Sequence, residues 1–168
     1  MVLLIVAACG AGGETASEAE EEATPVSTAT PTPGPLEPSG PFMTDTVTLR
    51  SPDGERVEVP VYVADEPSLR QRGLMHTDEL KSDAGMVFRF RDDSTSGFHM
   101  ENTRMPLSIA FADAEGEIQV ILDMEPCESA PCESYEPNVQ YRTALEVNQG
   151  FFDSHDVEPG WTLHDPGS

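Results

Sequence analysis

The densest group of side chains that could do chemistry lies in residues 98–104. Its polar members are His99, Glu101, Asn102, Thr103 and Arg104. If the chain is extended there, His99 and Glu101 point the same way, because side chains alternate along a strand. A histidine beside a carboxylate can transfer protons or supply part of a metal site. The alternative is a structural loop in which the Asn102 and Thr103 side chains bond the backbone.

Ligand binding is the functional interpretation that we carry forward for this stretch. The predicted ligand-binding residues are Arg72, His99, Glu101, Asn102, Thr103 and Arg104. Catalysis would require the candidate catalytic residues, His99 and Glu101, to converge with Arg72 or Arg142 in a concave pocket, within about 4–6 Å. The chain has no H-E-x-x-H spacing, no G-x-S-x-G elbow and no phosphate-binding glycine loop. We therefore predict no metal and no cofactor.

Alternating apolar residues on both sides of this stretch predict the strands that position it. The alternation runs through residues 57–63, 86–91, 107–112, 118–124 and 141–147, with shorter strands at 47–49 and 161–163. Gly116 can supply the positive φ of a hairpin turn between two of them. Pro60 cannot donate a ladder hydrogen bond, so its strand is expected at an edge or bulged. Arg142 and Glu146 lie on one face of a strand, and a salt bridge between them is expected.

Two short helical segments complete the predicted elements. Asp65 is a suitable N-cap for a helix that contains an early proline, Pro67, and ends at Gly73. Residues 150–155 predict a short helix or turn. Many short strands with one or two small helices indicate a mainly β (α+β) domain, built as a compact barrel-like or half-open sheet.

Length, composition and charge limit the possible domain organisation and binding partners. Residues 42–168 have the size of one domain. Residues 10–41 are rich in Pro, Thr, Glu and Ala and contain no aromatic residue, which predicts a disordered linker. The chain of 168 residues carries 31 acidic and 9 basic residues, a formal net charge of -22. That charge argues against nucleic acid as a partner, since phosphates would repel it.

Residues 1–9 are typical of a lipoprotein-type signal. The run Val6-Ala7-Ala8-Cys9 resembles the lipobox of bacterial lipoproteins, whose cysteine becomes lipidated. The apolar run before Cys9 is much shorter than the roughly 20 residues of a membrane span. Signal peptides carry a positive charge before their apolar core and none stands here, which fits a truncated record or a start further upstream. An ordinary signal peptide is the alternative, and it also predicts export.

Two further cysteines support an exported location. Cys127 and Cys132 are five positions apart, and thiols oxidise outside the cytoplasm, so we predict a disulfide between them. Metal ligation, a redox role and two free thiols are the alternatives. Metal ligation would need a second cysteine pair and a redox role would need a C-x-x-C motif, and the sequence contains neither.

Several short runs, in a fixed order, resemble the DUF192 family. They are Arg72-Gly73-Leu74-Met75, Asp83-Ala84-Gly85-Met86-Val87-Phe88, Phe98-His99-Met100-Glu101-Asn102-Thr103, Pro106-Leu107-Ser108-Ile109-Ala110-Phe111 and Ala144-Leu145-Glu146-Val147. The resemblance spans roughly residues 57–163, and the ordered set is specific although each run alone is weak. The family is one of unknown function, often exported, with a compact β-rich fold. The resemblance therefore implies the fold and not an activity.

The chain departs from the family pattern at four positions. The family usually has Trp where His99 stands, a basic residue where Glu101 stands, Arg where Thr77 stands and Asp where Trp161 stands. If a family-wide site used the cation beside Asn102, this chain has reversed the charge of that site.

Two functional hypotheses follow from these observations. The first is a lipid-anchored envelope protein facing the extracytoplasmic side, whose domain binds an envelope glycan, a small solute or another envelope protein without catalysis. The second is a hydrolase-like envelope enzyme that uses a polar pocket around His99, Glu101 and Asn102.

Overall fold

The computed structural model describes Pro38 and residues 40–167. The predicted signal at 1–9, with its lipidation site Cys9, and the predicted linker up to residue 37 lie outside the described residues. Between residues 40 and 167, none of the helices is long and apolar enough to span a membrane.

Strands dominate the part of the chain that the structure describes. In chain order the strands are β1 (Met43–Arg50), β2 (Arg56–Ala64), β3 (Gly85–Ser94), β4 (Phe98–His99), β5 (Leu107–Ala112), β6 (Ile118–Met124), β7 (Ser134–Tyr135), β8 (Tyr141–Asn148) and β9 (Thr162–His164). The helices are α1 (Pro67–Arg72) and α2 (Phe151–Ser154). The predicted fold class, mainly β with two short helices, is confirmed.

Seven of these strands form one curled sheet in the order β6-β5-β8-β3-β2-β1-β9, and β4 pairs with β7 separately. Neighbours in the large sheet are antiparallel except β2 and β3, which are parallel. The two ends of the sheet meet at one corner, where the Leu163 N–H donates to the Gly116 carbonyl oxygen at 2.7 Å. Ile118 N–H donates to the Trp161 carbonyl oxygen at 2.8 Å beside it. The sheet is therefore a half-barrel whose ends touch.

Side-chain alternation gives the sheet two apolar faces. On β5, Ala110 and Ala112 face the core inside the half-barrel, whereas Leu107, Ile109 and Phe111 face a second, outer core. All six β5 residues are buried, because loops cover the outer face. Such a strand reads as a continuous apolar run, as strands buried on both faces do. The outer core is the face that carries the candidate site.

Two local predictions are corrected by the structure. The N-cap of α1 is Glu66 and not Asp65, and no side-chain hydrogen bond caps the helix. Pro67 at the first helical position holds the residue before it extended, with φ -99° and ψ 147°. β2 is an interior strand, but Pro60 has a partner in β1 only, because pairing with β3 begins at Val61.

The expected salt bridge between Arg142 and Glu146 does not form. Four residues along a strand separate two side chains by about 13 Å, too far for an ion pair. Arg142 instead donates to Asp93 Oδ1, from Nε at 2.9 Å and from Nη2 at 2.7 Å. Glu146 is therefore left for another role.

Arg89 fastens the C-terminal segment to β3. Its guanidinium donates to both carboxylate oxygens of Asp165, at 2.7 and 2.6 Å, and to Asp45 Oδ2 at 2.7 Å. The Asp165 side chain is 1% exposed. The hydrogen bond from Arg89 holds the pKa of Asp45 below its ordinary value, and the hydrogen bonds that Arg89 donates to Asp165 raise the pKa of Arg89.

Candidate functional site

A cavity of about 710 Å³ opens on the outer face of the sheet. It lies between α1 with the turn that follows it, strands β3 and β8, and residues 96–103. Its volume is that of a small-molecule site, which typically encloses about 300–1,000 Å³. The polar side chains that line it fall into a buried floor and an exposed rim.

Glu146 of β8 forms the buried floor. It is 5% exposed, and in the sheet register it lies between Met86 of β3 and Ile109 of β5, both fully buried. No described residue provides its carboxyl with a hydrogen bond or an ion pair. Burial alone raises the pKa of Glu146 to about 8, so the carboxyl is mostly protonated at neutral pH.

Aromatic rings form one wall of the cavity. Phe88, Phe90, Phe98 and Tyr141 all line the cavity. Phe88 and Phe98 make an edge-to-face contact with ring centroids 4.9 Å apart, and Phe90 contacts Tyr141 in the same way at 5.2 Å. The Tyr141 hydroxyl donates to the Ser96 carbonyl oxygen at 2.7 Å, and burial raises the pKa of Tyr141. These paired rings make a stiff apolar surface.

Arg70 lies between the wall and the rim. Its Nη1 donates to the carbonyl oxygens of Asp65, at 2.5 Å, and Arg89, at 2.8 Å. Its guanidinium carbon lies 4.9 Å from the centroid of the Phe90 ring, within the range of a cation–π attraction. The helix α1 thus delivers a fixed cation to the cavity.

Residues 98–104 form one side of the rim. His99 and Glu101 are exposed there and line the cavity, while Thr103 lines it from a buried position. The His99 Nδ1 atom lies 3.4 Å from the Glu133 carbonyl oxygen. Asn102 takes a positive φ of 56°, and its carbonyl oxygen accepts the His76 N–H at 2.8 Å.

The predicted disulfide is present and supports this rim. Cys127 and Cys132 are joined with an S–S distance of 2.07 Å. The Cys127 N–H donates to the Thr103 carbonyl oxygen at 3.1 Å, and Cys127 also bridges to Glu101. The cross-linked loop therefore holds the backbone of the rim segment.

A sequence model of the family DUF192, described as "Uncharacterized ACR", matches residues 48–164. The chain belongs to the DUF192 family. The matched residues include every strand of the half-barrel except the start of β1, and they contain the whole cavity.

Two solved structures resemble this DUF192 chain. A "putative transcription regulator" from Sinorhizobium meliloti 1021 is 28% identical, with a TM-score of 0.70 over 76% of this chain and 97% of the other. A protein of unknown function from Novosphingobium aromaticivorans DSM 12444 is 23% identical, with a TM-score of 0.70 over 77% of this chain and 91% of the other. Among curated proteins no significant match was found.

The cavity brings together four of the six residues predicted to bind a ligand. Arg72, His99, Glu101 and Thr103 line it, whereas Asn102 and Arg104 are not among its lining residues. The Arg104 guanidinium donates to Asp78 Oδ1 at 2.5 Å in a solvent-exposed ion pair. In residues 40–167 no group of three or more His, Cys, Asp or Glu side chains is arranged to hold a metal ion.

Sequence reasoning missed the floor and most of the wall of the site. Arg70, His76 and Tyr141 line the cavity without having been predicted, and Glu146 was assigned to a salt bridge. The signal for Glu146 was present in the sequence. A carboxylate that alternates with apolar residues in the middle of a strand, in a sheet covered on both faces, must be buried. Because burial of a carboxylate costs free energy, such a residue is a candidate for a functional role.

Proposed function

We propose that this DUF192 protein is a lipid-anchored, extracytoplasmic binding protein whose cavity holds a small solute or the end of an envelope glycan without catalysing a reaction. The observation that carries the proposal is the cavity of about 710 Å³ with the unpartnered Glu146 at its floor. A concave site with aromatic walls and a few polar groups is typical of small-ligand binding. Another envelope protein would instead need a flatter and larger contact surface.

The location and the anchor rest on the N-terminal sequence and on the cysteines. The run Val6-Ala7-Ala8-Cys9 supports lipidation at Cys9, and the composition of residues 10–41 supports a tether to the envelope membrane. The disulfide between Cys127 and Cys132 supports an oxidising compartment. Nucleic acid is not a proposed partner, because the net charge of -22 would oppose binding to phosphates.

A binding screen with a blocked cavity tests this proposal. The full chain is screened against small solutes and envelope glycan fragments by thermal shift, together with Ser68→Trp and Thr46→Trp. Ser68 is exposed on α1 and lines the cavity, so a Trp there fills the mouth. Thr46 is exposed on β1 away from the cavity and serves as the matched control.

At about 100-fold excess over Kd, a ligand of the cavity should raise the Tm of the parent and of Thr46→Trp by a few degrees. The same ligand should raise the Tm of Ser68→Trp much less. Equal shifts in all three proteins would place binding elsewhere and contradict the proposal. A complete absence of stabilising compounds would also count against it.

The envelope-enzyme alternative is supported by one observation, that Arg72, His99 and Glu101 line the same cavity as Glu146. His99, however, lies against a backbone carbonyl oxygen and not against a carboxylate. An enzyme would turn over chromogenic esters or glycosides, and Glu146→Gln would lower that turnover. A binding protein would turn over none of them.

A further inference from the structure

Glu146 gives the cavity a chemical preference. We propose that the cavity recognises small amines, with the ammonium group of the ligand paired to the Glu146 carboxylate and its apolar part against the aromatic wall. This inference rests on the binding function proposed above and names the class of ligand.

The carboxyl of Glu146 has unmet hydrogen-bonding capacity. Buried polar groups are nearly always satisfied, and an ionised carboxylate is a pure acceptor with two oxygens. Its sheet neighbours, Met86 and Ile109, offer no donor, and no partner comes from elsewhere in residues 40–167. Since Glu146 also lines the cavity, a group in the cavity can satisfy it. An ammonium supplies both the donors and the opposite charge.

Aromatic rings of the cavity wall favour the same class of ligand. Phe88 pairs with Ala144, two residues from Glu146 on the same face of β8, and Phe98 contacts Phe88. These two rings are therefore the part of the wall nearest to Glu146 along the sheet, and aromatic rings attract organic cations. The guanidinium of Arg70 already lies over Phe90 in this way. The net charge of -22 adds a field that concentrates cations near the protein.

The other titratable groups of the cavity also affect its preference for a cation. The titratable side chains that share it with Glu146 are Arg70, Arg72, His76, His99, Glu101 and Tyr141. Arg72 and His99 lie at the exposed rim, where solvent screens their repulsion of a cation. Arg70 is held by two carbonyl oxygens and one ring. On β3 and β5, the residues beside Glu146 carry no charge.

The alternative is that Glu146 acts as a neutral acid and donates to a ligand acceptor, such as a carboxylate. The two possibilities have opposite pH dependence. Pairing with an ammonium requires Glu146 to lose its proton to solvent, so amine affinity rises with pH. Donation requires the proton to stay, so the affinity for an anion falls with pH.

Three probes of matched shape separate these possibilities in the full chain. They are 2-phenylethylamine, 2-phenylethanol and 3-phenylpropionate, whose binding is measured by isothermal titration calorimetry and mapped by NMR between pH 6 and 8. Because burial raises the pKa of Glu146 to about 8, we expect the affinity for the amine to rise about fifty-fold between pH 6 and pH 8, with the gain becoming smaller near pH 8. The amine, which keeps its charge there, should bind at least tenfold more tightly than the alcohol at pH 8.

Two variants make the assignment specific. Glu146→Gln should remove the preference for the amine, while Glu58→Gln, at an exposed position of β2 outside the cavity lining, should keep it. Glu146→Gln should also lose the rise in amine affinity with pH. The Glu146→Gln protein must give a native NMR spectrum, and binding of 2-phenylethanol by it confirms that the cavity is intact.

The outcomes separate this inference from the proposed function. Binding of 3-phenylpropionate or 2-phenylethanol in the cavity with no preference for the amine would overturn the inference and leave the binding function in place. A preference for the amine that persists in Glu146→Gln would also overturn it. Binding of none of the probes, together with a negative thermal-shift screen, would overturn both.

Discussion

Glu146→Gln should make the protein more stable at high pH and leave it almost unchanged at low pH. In the folded protein the pKa of Glu146 is raised by burial from its ordinary value of 4.5 to about 8. Between these two values the unfolded chain has lost the Glu146 proton and the folded protein has kept it. Stability therefore falls with rising pH, by up to about 1.4 kcal/mol per pH unit, and the fall levels off above about pH 8.

The size of the effect follows from the same two pKa values. Over the whole interval the ionisation of Glu146 would cost the fold up to roughly 5 kcal/mol, at about 1.4 kcal/mol per pKa unit. Water in the cavity next to the carboxyl reduces that figure, so we expect about 2–4 kcal/mol at pH 8.5. At pH 4.5 the neutral acid and the amide are nearly isosteric, and the two proteins should differ by less than about 1 kcal/mol.

Urea unfolding followed by fluorescence of Trp161, the single tryptophan, measures this at intervals from pH 4.5 to 9. The difference between variant and parent cancels the titration of all other groups that Glu146 does not contact. Glu101→Gln, at an exposed position, serves as the matched control and should show no such trend. If the difference in unfolding free energy between variant and parent stays constant with pH, Glu146 is ionised throughout this range. That result would refute the claim that its buried carboxyl is protonated at neutral pH.

Three further predictions concern the framework around the site. Arg89→Met removes the guanidinium that pairs with the buried carboxylate of Asp165 and should cost about 3–5 kcal/mol of unfolding free energy. Arg89→Met combined with Asp165→Asn should recover a large part of that cost, and equal stability of the two variants would contradict this role of the pair. Replacing Cys127 and Cys132 by Ser should cost about 2 kcal/mol and speed amide exchange in residues 100–103, and unchanged exchange would show that the disulfide does not hold the rim. Labelling with a fatty-acid precursor in a bacterial host should mark the protein at Cys9, and labelling that survives Cys9→Ala would remove the proposed anchor.

Period-two alternation was enough to predict most of the fold. Residues 107–112 and 118–124 were predicted as a hairpin, and β5 and β6 pair as one, with Gly116 at a positive φ of 85° in the turn. The pattern could not give the strand order, because β8 enters between β3 and β5 through contacts that are distant in the sequence. It also could not show that β2 is an interior strand despite Pro60.

Only the rim of the site was predicted from the sequence. Residues 98–104 attracted attention because several polar side chains are adjacent, and the rim residues His99 and Glu101 do line the cavity. Arg70 and Glu146 are separated by 76 positions, and only the folded arrangement of α1, β3 and β8 around one cavity brings both to the same site. Local spacing also suggested a pair, Arg142 with Glu146, that strand geometry forbids. The position of Glu146 among the apolar residues of its strand was the more informative signal for the site.

The most direct test of the account is the ionisation of Glu146 itself. Carbon-13 NMR of the glutamate side-chain carboxyls, assigned with Glu146→Gln, follows this group from pH 4 to 10 with and without 2-phenylethylamine. We predict a pKa near 8 in the free protein and a clearly lower one when the amine is bound. An ordinary pKa near 4.5 in both states would contradict the buried, unpartnered floor on which the proposed binding depends.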